Sequence, residues 1–203
     1  MSRSALVIFA KAPVPGLAKT LLIPSLGAAG AAALAERMLE HAALAGAGAG
    51  VDTLEICATP DARHPSFARL AAMHDLVLAV QGDGDLGQRM HSAFERMLTH
   101  HATVLLIGTD APSLDAALLA RAQAALDGHD AVFVPALDGG YALVGLHAPQ
   151  RSLFEQMAWS TPTVMAQTRE RLRAAGLRWT ELPPVADVDE PADLVHLPAG
   201  WLG

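Results

Sequence analysis

The sequence predicts an α/β fold, a mostly parallel mixed sheet with helices on both faces, in one domain spanning residues 1–203. Three observations predict it. Short β-type runs alternate with helix-type runs along the whole chain, as expected for parallel strands joined by helical crossovers. Alanine supplies much of the 52% hydrophobic content while aromatics make up 4%, which suits close helix–sheet contacts. The polar residues that interrupt the apolar pattern fall where strands end, and open α/β sheets bind ligands at those ends. A domain of this length should bury roughly 70% of its unfolded surface and needs no disulfide or structural metal.

Residues 5–10 (ALVIFA) form an apolar strand run. Over residues 28–45, leucines and Met38 recur at helical spacing, and the glycines of 46–50 are expected to stop that helix. Residues 51–58 alternate as a strand, followed by a short helix at 66–73 and a strand at 76–80. Leu86, Met90, Ala93, Phe94, Met97 and Leu98 recur at i, i+4, i+7, i+8, i+11 and i+12, the mark of an amphipathic helix. Residues 103–108 (TVLLIG) read as a buried strand. Ser113 is the expected N-cap of a helix running to 126. Strands at 131–135 and 141–146 flank the turn Asp138-Gly139-Gly140, so a hairpin would put one antiparallel strand into the sheet. Thr161-Pro162 is the expected start of a helix that Gly176 stops, followed by a strand at 178–182 and a short helix from Pro191.

The formal net charge is −7, and the chain has two lysines, Lys11 and Lys19, both in one loop. A nucleic-acid partner is not expected, because no basic run or face is present to collect phosphates. Cys57, the single cysteine, lies within a strand run and reads as a buried thiol. Met1, Ser2 and Arg3 precede an apolar run that is too short for a signal core or a membrane span, so a cytoplasmic protein is expected. The nine histidines show no zinc-ligand spacing, and no G-x-S-x-G elbow occurs.

Two segments carry the chemistry. The loop KAPVPGLAKT (residues 11–20) follows the first strand, and two prolines stiffen it. Gly16 permits close backbone approach, and the lysines supply point charges for a di- or triphosphate. It is not a Walker loop, since Ala18 stands where that motif has glycine. IGTDAPSL (residues 107–114) sets Asp110 just beyond an apolar strand. There it can hold a magnesium ion against phosphate or cap the following turn. In ADVDEPADL (residues 186–194), Asp193 falls in the first turn of the last helix and reads as structural. Asp187 and Asp189 precede that helix, and either could complete a metal site with Asp110.

Six motifs in order resemble those of the DUF2064 family of glycosyltransferase-A-like (GT-A) nucleotide-diphospho-sugar transferases. They are FAKAPVPG (9–16), QGDGDLGQRM (81–90), GTDAPSL (108–114), PALDGGYALVGL (135–146), WSTPTV (159–164) and DVDEPADL (187–194). Some members of that family are named arsenosugar biosynthesis or radical-SAM/selenodomain-associated transferases. The resemblance implies a single-domain GT-A fold and a nucleotide or nucleotide-sugar donor, with Mg²⁺ or Mn²⁺ on its phosphates. By the same resemblance, and by its likeness to more distant guanylyltransferases, Lys11, Pro15, Gly16 and Lys19 would hold phosphate. Gly84, Asp85, Gly87 and Arg89 would lie near the base or ribose, and Asp110 and Asp189 would bind the metal. Lys19 and Asp110 would be the catalytic pair. Asp138, Gly139, Gly140, Tyr141, Trp159, Ser160 and Thr161 would face a small-molecule acceptor.

The chain departs from the family pattern at Leu21, where an arginine is usual, at Ala111, where cysteine is usual, and at Glu190, where threonine is common. Three functions stay open at this point. They are glycosyl transfer, nucleotidyl transfer from a nucleoside triphosphate to a phosphorylated acceptor, and nucleotide binding without catalysis.

Overall fold

Along Ser4–Lys11 (β1), alternate residues enter two different cores: Leu6, Ile8 and Ala10 on one face of the sheet, Ala5 and Val7 on the other. The computed structural model describes residues 3–202, so Met1 and Ser2, which open the N-terminal reading above, lie outside them. The remaining strands are Thr53–Thr59 (β2), Val77–Val80 (β3), Thr103–Ile107 (β4), Ala131–Pro135 (β5), Tyr141–Leu146 (β6) and Trp179–Glu181 (β7). They form one seven-stranded sheet in the order β3-β2-β1-β4-β6-β5-β7. β6 runs antiparallel to both its neighbours, β4 and β5, and the other pairings are parallel. The hairpin expected around Asp138–Gly140 is the source of that single reversal.

Helices cover both faces. Ile23–Gly48 (α1), Pro65–His74 (α2) and Ala116–Ala125 (α4) pack on the core built around Leu6, Ile56, Leu105 and Val134. Leu86–Leu98 (α3), Arg151–Phe154 (α5) and Val164–Ala174 (α6) pack on the core around Val7, Phe94, Phe133 and Phe154. A third, smaller cluster joins Leu22, Ala31, Leu34, Met38 and Val188 at the end of the sheet where the cleft opens. No helix is long and apolar enough to cross a membrane among the described residues.

Several boundaries correct the sequence reading. α1 carries a non-helical residue at Gly27 (φ 70°), so its regular part begins at Ala28, as the periodicity expects. The helix ends at Gly48, within the glycines expected to stop it, and Gly46 is still helical. A Cβ there would lie 2.7 Å from Leu54 Cδ1 and 3.0 Å from Leu6 Cδ2, so glycine lets α1 sit close on β1 and β2. α4 is capped by Asp115, whose side chain accepts from Leu118 N, and not by Ser113. α6 starts at Val164, because Thr161 Oγ1 donates to Ala158 O within a preceding turn instead of capping a helix. The short α5 is too brief for periodicity to reveal.

Asp85 and Gln88 form a reciprocal capping box at the start of α3, a contact the sequence reading did not foresee. Asp193 Oδ2 accepts from Glu190 N at 2.8 Å and Asp189 N at 3.1 Å at the start of the 3-10 helix Pro191–His196, the structural role read for it. Cys57 is buried, and burial first, with the charge of Glu55 second, pushes its thiol up to about 11.

Candidate active site

A cleft of about 530 Å³ opens at the carboxyl edge of the sheet, over the ends of β1, β2 and β4 and the β5–β6 turn. Its volume is that of a typical small-molecule site. It also straddles the point where strand order reverses about β1, the expected place for a ligand in an open α/β sheet.

Lys19 is its centre. The ammonium lies 2.5 Å from Asp110 Oδ1 and 2.9 Å from Asp189 Oδ1, and donates to Val188 O at 2.6 Å. Its side chain is 8% exposed, while those of Asp110 and Asp189 are 45% and 50% exposed and open to the cleft. Lys19 adopts a left-handed backbone (φ 46°), which costs a non-glycine residue about 1 kcal/mol. The three polar contacts of its side chain and the burial of nearby Leu22 hold it there. Burial opposes the charge on Lys19, but Asp110 and Asp189 outweigh it and raise the ammonium above its ordinary range. Asp189 is raised too, by burial first and then by the charge of Asp110, against the opposing pull of Lys19.

The convergence follows from local structure. Val188 N donates to Asp110 O at 2.8 Å, and Val185 N donates to Pro135 O at 3.0 Å. The segment after β7 is thereby laced along the open ends of β4 and β5. Val188 itself is fully buried against Leu22, Leu34 and Met38, so the loop carrying Lys19 and the segment carrying Asp189 share one small core.

Two carboxylates from distant segments meeting at one point make a hard-oxygen pair suited to Mg²⁺ or Mn²⁺, which takes one or two carboxylates plus phosphate and water. Among the described residues no group of three or more His, Cys, Asp or Glu side chains is arranged to hold a metal. The missing oxygens would therefore come from a bound phosphate or water. Charge points the same way. Two carboxylates against one ammonium leave this centre with one net negative charge. A divalent cation held there would offset that charge.

The other expected site residues divide. Lys11, Asp138, Gly140, Tyr141, Trp159, Ser160 and Thr161 all line the cleft. Lys11 is exposed at the end of β1, and only Lys19 of the two lysines engages the acid pair. Gly139 lies behind the cleft wall. Its φ is 93° and a Cβ would come within 2.2 Å of Pro162 O, while its carbonyl accepts from Met165 N at 2.8 Å. This contact joins the β5–β6 turn to the segment bearing Trp159, whose ring meets Tyr141 edge-on at 6.4 Å. Burial raises the Tyr141 phenol, so it stays protonated at neutral pH.

Pro15, Gly16, Gly84, Asp85, Gly87 and Arg89 are not part of the lining. Arg89 Nε donates to Gly84 O, and Gly87 lets α3 approach Phe154 O and the Trp159 ring. In their place Leu86 and Met90 present their side chains to the cleft.

Sequence reasoning missed Thr59 and Gln81 on the wall at the ends of β2 and β3. Gln81 is anchored by its Nε2, which donates to Cys57 O at 3.0 Å. Both residues lie at strand ends, the signal that identified Asp110. Asp187 also lines the cleft, and burial, together with the charges of Asp138, Asp189 and Asp193, pushes its carboxyl up to about 6.

Residues 42–161 match the family described as "Uncharacterized protein conserved in bacteria (DUF2064)". A solved structure of a Desulfovibrio desulfuricans G20 protein, named as a candidate nucleotide-diphospho-sugar transferase, is 33% identical. The match covers 96% of this chain and 85% of that one, with a TM-score of 0.86. A nucleotidyl transferase from Methanothermobacter shares the fold at 16% identity, with coverage of 99% and 98% and a TM-score of 0.64. So does glucosyl-3-phosphoglycerate synthase from Mycobacterium tuberculosis, solved with Mn²⁺, UDP and glucosyl-3-phosphoglycerate, at 11% identity, with coverage of 96% and 75% and a TM-score of 0.56. No curated protein matches the chain significantly.

Proposed function

The chain belongs to the DUF2064 family and carries the nucleotide-diphospho-sugar transferase fold; from that premise we propose that it transfers a glycosyl group from a nucleotide-activated donor, with Mg²⁺ or Mn²⁺ on the donor's phosphates. The observation that carries this reading is the Lys19 ammonium set between Asp110 and Asp189 on the floor of the cleft. When bound there, the metal would neutralise charge that gathers on the departing diphosphate.

The chain's own residues do the rest. Asp110 and Asp189 would hold the cation, and Lys19, freed from one carboxylate, would turn its ammonium to phosphate oxygen. Lys11, exposed at the end of β1 on the cleft wall, would add a second positive charge. Thr59 and Gln81 would face the nucleoside, and Asp138, Tyr141, Trp159, Ser160 and Thr161 the acceptor. Positioning and fixed electrostatics then supply most of the rate. No Ser-His-Asp or Cys-His grouping is needed for this chemistry, and a single-domain, cytoplasmic enzyme is part of the same reading.

Nucleotidyl transfer is the second reading, favoured by the lone Asp110 after β4 in place of an Asp-x-Asp pair. Thermal unfolding with nucleoside di- and triphosphates and nucleotide sugars, with and without Mg²⁺, tests the shared premise. A ligand at 100 times its Kd should stabilise by about 2.7 kcal/mol. That stabilisation should require the metal and vanish in Asp110→Ala. Stabilisation by nucleotide that is equal with and without metal would refute the proposal.

A further inference from the structure

The positive charge in the cleft is confined to one side. Lys11 and Lys19, its two cationic lining residues, belong to β1 and the loop after it. Across from them the wall is built from the β5–β6 turn and the segment bearing Trp159, and it presents Asp138, Tyr141, Trp159, Ser160 and Thr161, with no Lys, Arg or His among the described residues that line it. Asp187 adds a further carboxylate beside Asp138. The nearby guanidinium on that side, Arg171, is engaged by the backbone carbonyls of Ser152, Glu155 and Gln156 and does not line the cleft. Leu21, 59% exposed, gives the lysine loop apolar surface where the family pattern carries another cation.

A phosphate ester placed on this wall would face the Asp138 and Asp187 carboxylates with no cationic side chain among the wall's own residues to offset them, an arrangement that repels the wrong partner. A hydroxyl group suits the same wall. Ser160 and Thr161 hydroxyls and the protonated Tyr141 phenol can donate or accept. The Asp138 carboxylate, itself fixed by a hydrogen bond from Gly140 N at 2.8 Å, accepts. Trp159 adds apolar surface to the same lining, of the kind against which a sugar or polyol can pack.

We propose that the acceptor is a hydroxyl compound without phosphate, neutral or cationic, seated against the Asp138–Tyr141 turn and the Trp159–Thr161 segment. This deepens the glycosyl-transfer reading above and rests on it. The acceptor oxygen bonds to the anomeric carbon of the donor sugar as the bond from that carbon to the diphosphate oxygen breaks. The diphosphate leaves with the bonding electron pair, and the hydroxyl proton is released to solvent at the open mouth of the cleft. It also weighs against the second reading as framed above, nucleotidyl transfer to a phosphorylated acceptor, because that acceptor would sit against this wall.

The test uses UDP-glucose, GDP-mannose and dTDP-glucose as donors, with Mg²⁺, and matched acceptor pairs: glycerol and glycerol 3-phosphate, glucose and glucose 6-phosphate, ethanolamine and phosphoethanolamine. Nucleoside diphosphate release should be at least tenfold greater with the unphosphorylated member, and Asp138→Lys should narrow that ratio. A wild-type preference for the phosphate ester would overturn the proposal, as would pyrophosphate release from a nucleoside triphosphate and a sugar 1-phosphate. A protein that binds no nucleotide with metal sinks the donor reading and this proposal together. One that binds donor yet prefers the ester sinks the acceptor class alone.

Discussion

The backbone N–H of Val188 donates to the carbonyl of Asp110 at 2.8 Å, and this one hydrogen bond brings Asp189 beside an acid 79 positions earlier in the chain. The Val188 side chain is fully buried with Leu22, three residues after Lys19. Backbone pairing aligns the two acids, and side-chain packing aligns the lysine with them.

Val188→Ala should therefore disturb ligand binding although its side chain does not line the cleft. Removing two buried methyl groups should cost about 2 kcal/mol in urea unfolding. Metal-dependent nucleotide affinity should fall several-fold in the same variant, measured by calorimetry. Lost stability with unchanged affinity would show that the small core does not align the site.

Lys19 occupies the space between the carboxylates that the metal reading requires. Lys19→Ala should raise the affinity of the nucleotide-free protein for Mn²⁺, read by electron paramagnetic resonance, because a competing ammonium is gone. The same variant should bind nucleotide at least tenfold more weakly. A fall in both affinities would mean that the lysine supports the metal site instead of competing for it.

Glu55 is a separate electrostatic liability in β2. It is 2% exposed, and Arg96 grips it with two hydrogen bonds of 2.7 and 2.6 Å. Arg96→Met should destabilise the protein by about 3 kcal/mol, the low end of the range for breaking a buried pair, since the Arg96 side chain is 45% exposed. Adding Glu55→Leu should restore most of that loss. Equal stability of Arg96→Met and wild type in denaturant would contradict the assignment.

Much of this architecture is legible from the sequence, for stated physical reasons. Period-two and period-3.6 patterns located the major elements, and the Asp-Gly-Gly turn announced the one antiparallel strand. Asp110 stood out because a charge closed an apolar run. Other features depend on contacts far along the chain. Nothing local in Lys19 points to Val188, and Gln81 is presented by a bond to Cys57 O on the neighbouring strand. The cap of α4 was misplaced by two residues because Ser113 and Asp115 are both good caps, and only the fold decides that Asp115 reaches Leu118 N. Gly84, Gly87 and Arg89 carry a family signature; the structure shows their part in the packing and start of α3, and Leu86 and Met90 of the same segment line the cleft.

Glu181 predicts a specific acid sensitivity. Two hydrogen bonds from Arg169, then one from Trp179, hold its carboxyl below the usual carboxylate range. A depressed folded value means that the stabilisation is complete above the unfolded carboxyl's pKa, about 4.3. It is lost as pH falls through the lower folded value. Glu181→Gln should be less stable than wild type by up to about 1 kcal/mol at neutral pH, given the partial exposure of the pair. The two stability curves should converge on acidification. A gap that persists unchanged to low pH would refute the ion-pair account.

The central claim is that Asp110 and Asp189 act together on one metal ion at the donor's phosphates. A double-mutant cycle on Mg²⁺-dependent nucleotide affinity, using Asp110→Asn, Asp189→Asn and the double variant, tests it most directly. Each single change should abolish most of the metal dependence, and the double variant should lose little more than either. Losses that simply add, or a single variant that keeps its full metal dependence, would contradict a shared ion.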